Sequence, residues 1–404
     1  MPPPPPKAPV ARHRKREGIV LRMFRELTPA RGMLRDREDQ AVVLEFESIG
    51  GLDNLPREGD VVEYRQFENE SGHEAVNVTV KSRAQKETAQ SKPSDSECWA
   101  AEQFLRRHAL QRWEKGEPFT HSSMKGYRDS FARDTGKFKF PDDEATMKEL
   151  GEAIAVFYRL SHAVPDTPKK LFLCEHPTDV YAFVEDIDVL GGYVGGVPNV
   201  MRNGPNDYDY ELLKWRAKVL RKIFPGAEPR LMLYEACGMY QGHDIFKESY
   251  HLVWPMVMVD KQRAVAAREE TVRLFEQMSE EEGHPLAKLL HRAKQKDENN
   301  SWERIFDIST TRPSIGARMP YSDKMSVTKL GRWVDNHRRV LPIAEIMFDF
   351  NNGEELPRCI TVAGAEQRTP AEWAKNGMCR RSGKAVSYCT ASIRAAEGQR
   401  NRRR

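Results

Sequence analysis

The spacing of hydrophobic and polar residues changes once along the chain. Between residues 18 and 80, short runs alternate with a period of two and are separated by glycine and proline, which predicts small strands. From residue 98, hydrophobic residues recur at helical spacing between strand-like runs, which indicates an α/β or α+β domain of about 250 residues. The polar run between these regions, which contains Pro93, has linker composition. We therefore predict a basic, Pro-rich tail, a β-module, a linker, a mixed domain and a basic C-terminal tail, at residues 1–16, 17–81, 82–97, 98–350 and 351–404.

The same patterns predict individual strands and helices. Five strands in about 65 residues favour a small closed barrel, because closure removes exposed strand edges. These strands are expected at 18–24, 32–36, 41–49, 60–67 and 75–80. Helices are expected at 96–116, 209–224 and 260–283, with Ser96 and Asp260 as N-caps of the first and third. Further strands are expected in "KKLFLCEH", "VYAFVEDIDVL", "RLMLYEACG", "SYHLVWPMVMV" and "WERIFDIS".

The N-terminal module resembles a cold-shock domain. "GIVLRMF", "LPREGDVVEY" and "GHEAVNVTV" carry the resemblance, in the order and spacing of that family. It implies an OB-fold that binds single-stranded nucleic acid. Where the family stacks bases on an aromatic-rich strand, this chain has "ARGMLRD", with Phe24 as the nearest ring. A structural barrel or a protein-docking module is therefore the alternative interpretation.

Composition narrows the class of protein. Of 404 residues, 39% are hydrophobic and 31% are charged, so the chain is long enough to form a sizeable core. No run approaches the roughly 18 apolar residues that a membrane helix needs, and the six cysteines are expected to be free thiols. We expect an intracellular protein, nuclear or mitochondrial if the source is eukaryotic, with no membrane partner. Basic tails such as "RHRKR" and "GQRNRRR" bind polyanions, address a compartment or only solubilise.

Two acidic residues, Asp186 and Asp188, lie two positions apart in "VYAFVEDIDVL". In a strand, both carboxylates point to one face while the intervening hydrophobic residues point to the other. Converging carboxylates repel each other, and a shared divalent cation is a common reason for tolerating that repulsion. A solvated loop start at the end of a strand is the alternative.

Polar residues recur with the same period in "FKESYHLVWP", residues 246–255. Lys247, Ser249 and His251 line one face of the predicted strand. An ammonium group, a hydroxyl and an imidazole N–H form a row of donors suited to an anion such as a phosphate. A buried Ser–His pair that serves only the core is the alternative.

The segment "IFDISTTRPSIGARMPYSDK", residues 305–324, adds a carboxylate followed by cations. Asp307 has hydrophobic neighbours, where an unpaired charge is costly, so it requires a partner such as a metal held by the first two carboxylates. Arg312, Arg318 and Lys324 follow on a turn-rich stretch that is able to fold back over the same site. A surface loop whose arginines pair with nearby acids is the alternative.

Taken in order, these three motifs resemble those of the archaeo-eukaryotic primase superfamily, and its primase-polymerase branch most of all. The motifs span residues 186–324, with Asp-x-Asp in place of the Asp-x-Glu of some relatives. The resemblance implies an α+β catalytic core, with a mixed sheet and an RRM-like half, that makes primers or extends DNA by two-metal phosphoryl transfer in replication or damage tolerance. It implies Mg²⁺ or Mn²⁺ at Asp186, Asp188 and Asp307, and triphosphate contacts from Lys247, Ser249, His251, Arg318 and Lys324.

The same resemblance sets the expected partners. They are a single-stranded DNA template, NTP or dNTP, and a separate replicative helicase or polymerase, because no Walker-type phosphate loop is present. Primase-polymerases also carry a C-terminal zinc module. Here Cys359, Cys379 and Cys389 are widely spaced, with no Cys-x-x-Cys pair and no histidine after His337, so zinc is not expected. A non-catalytic single-strand-binding protein with a primase-like scaffold is the alternative function.

Several other basic residues are candidates for contacts with the template. "GKFKFP" alternates Lys137 and Lys139 with aromatic residues, Arg106 and Arg107 lie on a predicted helix, and Arg312 lies in the third motif. A plain exposed strand or helix face is the alternative.

Overall fold

The computed structural model describes residues 15–24, 31–36, 43–47, 56, 61–69, 72–82, 92–123, 135–164, 170–191, 211–228, 230–240, 245–311, 316–327, 333–351 and 353–375. The chain divides into two compact units, Met1–Ala89 with Arg202–Asp209, and Gln90–Met201 with Tyr210–Arg404. Helices and antiparallel sheets are mixed in the second unit, so the fold class is α+β, as predicted. No helix in the described ranges combines the length and apolar character needed to cross a membrane.

The first unit contains five strands that close into a barrel, in the order β1-β2-β3-β5-β4. They are β1 (Lys15–Phe24), β2 (Arg31–Asp36), β3 (Val43–Glu47), β4 (Val61–Asn69) and β5 (Gly72–Ser82). Neighbouring strands are antiparallel except β3 and β5, which are parallel. The interior is filled by alternate residues of four strands, Val20, Leu34, Val62, Tyr64 and Ala75. The period-two pattern therefore predicted the barrel.

The second unit holds the remaining elements. Its helices are α1 (Asp95–His108), α2 (Glu144–Ala163), α3 (Glu211–Ile223), α4 (Lys261–Glu280), α5 (Pro285–Lys296), α6 (Trp302–Ile305) and α7 (Pro370–Lys375). Its strands are β6 (His121–Ser122), β7 (Lys137–Phe138), β8 (Cys174–Glu175), β9 (Tyr181–Leu190), β10 (Arg230–Glu235), β11 (Gly238–Tyr240), β12 (Ile245–Val259), β13 (Phe306–Asp307), β14 (Ala317–Arg318), β15 (Asp323–Val327), β16 (Trp333–Arg339), β17 (Leu341–Asp349) and β18 (Arg358–Gly364). Short 3₁₀ helices lie at Ile308–Thr311 and Ala365–Gln367.

Three antiparallel sheets organise these strands. The largest has the order β13-β9-β12-β10-β17-β18, with β11 also paired to β12. A four-stranded sheet of two-residue strands runs β14-β8-β6-β7, and β15 pairs with β16. Helix α4 supports the edge of the large sheet, because the Phe275 ring packs edge-on against Phe306 with centroids 5.0 Å apart. This packing fixes the strand that carries Asp307.

Helix α1 differs from its predicted bounds at both ends. Its N-cap is Ser94 and not Ser96: the Ser94 hydroxyl accepts from the Glu97 backbone N–H at 3.2 Å, and the Glu97 carboxylate accepts from the Ser94 N–H at 2.8 Å. This capping box was visible as Ser-x-x-Glu. The helix ends at His108, well before Gly116, because the chain turns into extended pairing and Leu110 N–H donates to Lys137 C=O.

Two predicted strands are much shorter than their hydrophobic runs. In "KKLFLCEH" only β8 is a strand, although Leu171 and Leu173 are buried. "WERIFDIS" divides into α6, β13 and a 3₁₀ helix. Short apolar runs do not distinguish a strand from other buried backbone.

The predicted border at residue 350 does not end the mixed domain. Strand β18 pairs along β17, with Met347 opposite Ile360, so it is an edge strand of the largest sheet. Residues beyond 375, including Cys379 and Cys389, lie outside the described ranges, whereas Cys359 lies on β18 as a free thiol.

Candidate metal and phosphate site

The largest sheet brings three acidic side chains to one place. Asp186 of β9 lies opposite Asp307 of β13, and Asp188 lies two positions further along β9. One carboxylate oxygen of each residue lies within 4.8 Å of those of the other two. The three carboxylates that the sequence singled out therefore share a site, and carboxylate oxygens are the ligands that Mg²⁺ and Mn²⁺ prefer.

Asp188 is the most buried member of this cluster. Its side chain is 7% exposed, and its Oδ2 pairs with the ammonium group of Lys247. Its Oδ1 is buried, and within the described ranges it has no hydrogen-bond partner. Burial and the nearby charge of Asp186 raise the pKa of Asp188 to about 6, against the opposing effect of Lys247. A proton or an additional cation would relieve both effects.

The Lys-x-Ser-x-His motif lies beside these carboxylates on β12. The register pairs Ser249 with Asp188 and His251 with Asp186. The Ser249 hydroxyl donates to Asp186 Oδ1 at 3.3 Å, so it faces the acidic cluster. Ser249 and His251 are both buried. Lys247, Ser249 and His251 thus lie on one face of the sheet, as their spacing of two residues predicts.

Asp307 is held by its own turn and by α4. The Ser309 backbone N–H donates to Asp307 Oδ1 at 2.9 Å, and the Ser309 hydroxyl lies 3.0 Å from Oδ2. The buried guanidinium of Arg268 donates from Nε to the Phe306 carbonyl at 2.9 Å and also bonds the Glu303 carbonyl. Arg268 therefore ties the two-residue strand β13 to the helix behind it. The hydrophobic pattern gave no indication of this role, because Arg268 lies in an ordinary amphipathic helix.

Arg318 reaches the same site from the small sheet. Its Nη2 lies 3.4 Å from His251 Nε2. The approach depends on Gly316, which has a φ of +71°. A Cβ at this position would lie 2.9 Å from the Glu175 carbonyl and 3.0 Å from His176 Nε2. Only glycine fits both the conformation and the space.

Lys324 is half-buried at the start of β15. Its charge and that of Arg318 both act on the Cys174 thiol, lowering a pKa that burial raises. Two cations of the third motif, Arg318 and Lys324, therefore lie near Cys174.

The candidate template residues have different environments. Arg106 is exposed in the last turn of α1, and Arg107 pairs with Glu149 at 3.2 Å on the surface. Arg312 lies outside the described residues. Nothing in these contacts distinguishes Arg106 and Arg107 from an ordinary exposed helix face.

The "GKFKFP" segment does not present its aromatic residues for base stacking. Phe138 and Phe140 are 1% and 2% exposed, because both belong to the core. Lys139 is exposed, whereas Lys137 is half-buried, with its ammonium 3.9 Å from the centroid of the Phe119 ring. Lys137 and Lys139 have similar neighbours in the sequence, but they therefore have different environments in the fold.

No protein-family model matches the chain, and no curated protein has a matching sequence. The geometry of the site is consequently the basis for assigning a function.

Proposed function

We propose that the protein is a template-dependent nucleotidyltransferase of the archaeo-eukaryotic primase type, which makes primers or extends DNA on single-stranded DNA. The observation that carries the proposal is the convergence of Asp186, Asp188 and Asp307 with a row of phosphate-type donors on the neighbouring strand. Carboxylates that bind metal next to cations that bind phosphate are the arrangement that phosphoryl transfer requires. In the same proposal, the largest sheet belongs to the primase catalytic core.

The carboxylate cluster fits divalent cations. Its donors are all oxygen atoms, and Asp188 offers a buried Oδ1 that has no hydrogen-bond partner in the described ranges. Asp186, Asp188 and Asp307 would hold the ions. When bound, Mg²⁺ or Mn²⁺ would neutralise charge on the triphosphate and favour ionisation of a primer 3′-hydroxyl.

The protein's own cations would orient the triphosphate. His251 and Arg318 lie side by side, so one phosphate oxygen between them would receive two hydrogen bonds. Lys247, whose ammonium pairs with Asp188 beside the cluster, would add its positive charge for the phosphates. The buried Ser249 would keep Asp186 in position through its hydroxyl. Holding the reacting groups in line is the main contribution that a protein makes to phosphoryl transfer.

We assign the barrel of the first unit to an OB-like, cold-shock-like module for single-stranded nucleic acid. Its closed five-stranded form is compatible with that class. Binding through basic groups to phosphates would weaken steeply with salt. A barrel that only docks proteins would show no such binding.

The full chain tests the proposal directly. Labelled dNTPs and NTPs are supplied on single-stranded DNA with Mg²⁺ or Mn²⁺, with and without a primer. We expect metal-dependent synthesis: products without a primer define a primase, and extension of supplied primers alone defines a polymerase. Single-strand binding without synthesis under any of these conditions would overturn the proposal in favour of a non-catalytic binding protein.

Metal binding is expected to depend on pH through Asp188. Because its pKa is about 6 without metal, a proton competes with the cation below that pH. At about pH 5 only roughly a tenth of Asp188 is ionised, so Mn²⁺ affinity should fall about tenfold between pH 7.5 and pH 5. Mn²⁺ titration followed by electron paramagnetic resonance measures this change. In Asp188→Asn, affinity should be lower and its dependence on pH flatter; equal slopes would contradict the assignment.

A further inference from the structure

A row of polar side chains crosses the small four-stranded sheet. Arg318 of β14 lies opposite Cys174 of β8, Cys174 lies opposite Ser122 of β6, and Ser122 lies opposite Lys137 of β7. Directly opposed residues of antiparallel strands place their side chains on the same face. The row therefore runs on one face from Arg318 to Lys137, with a small thiol and a small hydroxyl between the two long cations.

Three cations lie near the middle of this row. Burial raises the pKa of the Cys174 thiol, and the nearby charges of Arg318, Lys137 and Lys324 lower it. We call these three cations around Cys174 the basic cluster. Like charges that converge on one point repel each other unless an anion lies between them.

Lys137 is the member of the basic cluster whose surroundings most require an anion. Its ammonium lies 3.9 Å from the Phe119 ring centroid and 5.4 Å from that of Trp113. Among the residues that the structure describes, no carboxylate forms an ion pair with it, and burial lowers its pKa. Aromatic faces offset only part of the free energy lost when an ammonium group leaves water.

The basic cluster is continuous with the candidate active site. Arg318 Nη2 lies 3.4 Å from His251 Nε2, and His251 lies opposite Asp186. An extended polyanion with one end at the carboxylates would pass His251 and Arg318 and reach Cys174. A triphosphate chain is a polyanion of this kind, and its terminal phosphate carries the most charge.

We propose that the basic cluster binds the terminal phosphate of a nucleoside triphosphate, and that Lys137 is the third cation of this subsite beside Arg318 and Lys324. The inference rests on the proposed function. Cys174 lies beneath the bound phosphate, where its small side chain leaves room for the anion. Lys137 is thereby assigned to the nucleotide and not to the template strand.

The assignment is tested by measuring the affinity of the full chain for three probes, which are inorganic tripolyphosphate, dATP and dAMP. Mg²⁺ is present throughout. Lys137→Met keeps the aliphatic stem against the two rings and removes the charge. It should weaken tripolyphosphate and dATP binding about tenfold to a hundredfold, because one charge-assisted contact is lost. Binding of dAMP, which lacks the β- and γ-phosphates, should not change. Lys137→Arg should recover most of the affinity, and Lys288→Met, at an exposed site on α5, is the charge-matched control.

A second measurement uses the wild-type chain, so it does not require any variant to fold. Tripolyphosphate should slow alkylation of Cys174 by iodoacetamide, quantified by mass spectrometry of the Cys174 peptide. Unprotected Cys174, or equal affinity of Lys137→Met and wild type for tripolyphosphate, would overturn the inference. Equal losses of dATP and dAMP affinity would also overturn it, because Lys137 would then not act on the terminal phosphate.

The outcomes separate this inference from the proposed function. Tripolyphosphate binding that depends on Lys137, in a chain that synthesises nothing, would support the phosphate subsite and refute nucleotidyl transfer. Normal synthesis by Lys137→Met, with an unchanged KM for dATP, would support nucleotidyl transfer and refute the role of Lys137.

Discussion

Replacing Asp188 with asparagine is expected to abolish nucleotide incorporation and, at the same time, to stabilise the metal-free protein. Asparagine has nearly the same shape but supplies no charge for a divalent cation. Metal ions contribute several kcal/mol to such reactions, so the rate should fall about a thousandfold or more. Incorporation on a primed single-stranded template measures the first effect.

The gain in stability follows from the burial of the Asp188 carboxylate. Its pKa is about 6 in the folded chain and about 3.9 in an unfolded chain. The unfolded state therefore releases its proton at a lower pH, and above about pH 6 the charged carboxylate destabilises the fold by about 2–3 kcal/mol. A neutral asparagine side chain would remove that penalty, so the gain should be largest near pH 7.5, smaller near pH 5 and nearly absent near pH 4.

Urea unfolding without metal, followed by tryptophan fluorescence, checks this second effect. All seven tryptophans lie outside residues 1–89, so the signal reports the second unit. Exposed Asp142 offers a matched control, because Asp142→Asn removes the same charge far from any burial. A less stable Asp188→Asn at pH 7.5 would mean that the ion pair with Lys247 outweighs the burial of Asp188.

The sequence predicts those parts of the site whose geometry is determined within a single strand. A period of two is enough to place Asp186 and Asp188 on one face, and Lys247, Ser249 and His251 on one face. It does not give the register between strands. That His251 lies opposite Asp186, and Ser249 opposite Asp188, depends on how β9 and β12 pair over their whole length.

The proposed Lys137 subsite was not predictable for a different physical reason. The small sheet consists of two-residue strands drawn from widely separated parts of the chain, β6, β7, β8 and β14. Two residues carry no measurable periodicity. Alternation in "GKFKFP" therefore suggested equal roles for Lys137 and Lys139. In the fold, Lys137 lies opposite Ser122 and is half-buried against Phe119, whereas Lys139 is exposed.

General residue preferences predicted the ends of helices and short strands only in part. Ser94 and Glu97 form a capping box that their Ser-x-x-Glu spacing is enough to predict. Ser96 matched only the general preference for serine at an N-cap. Asp307 was predicted within a long strand, but α6 and a 3₁₀ helix flank a strand of two residues. Its position depends on Arg268, a tertiary contact that no local pattern contains.

A buried ion pair beneath the site should control the stability of the second unit. Glu185 precedes Asp186 on β9 and points to the opposite face, where Arg216 of α3 is fully buried. Arg216 Nε lies 2.9 Å from both carboxylate oxygens of Glu185, and Trp254 Nε1 donates to Oε2 at 2.7 Å. Arg216 Nη1 has no hydrogen-bond partner in the described ranges. The pair is therefore strong but incompletely satisfied.

Arg216→Met is expected to lower the free energy of unfolding by about 3–5 kcal/mol, because it leaves the Glu185 carboxylate buried without its cation. The double replacement Arg216→Met/Glu185→Leu should recover part of that loss, since apolar residues of similar volume often replace a buried pair at little or no cost. The recovery is incomplete because the buried Trp254 indole N–H loses its acceptor. Urea unfolding monitored by tryptophan fluorescence measures both. Arg358→Met, which breaks an exposed pair with Asp349 at 3.3 Å, is the control and should change stability by less than about 1 kcal/mol.

The comparison between the single and double replacements decides what the ion pair does. If the double variant is stable and still incorporates nucleotides, the pair only neutralises two buried charges, and β9 is positioned by its neighbouring strands. If the double variant is stable but inactive, Glu185 and Arg216 also align Asp186 with the other carboxylates. A double variant that is as unstable as Arg216→Met would contradict the expectation, because the cost would then arise from lost packing around Arg216 or from the Trp254 indole N–H left without an acceptor, and not from an unpaired carboxylate.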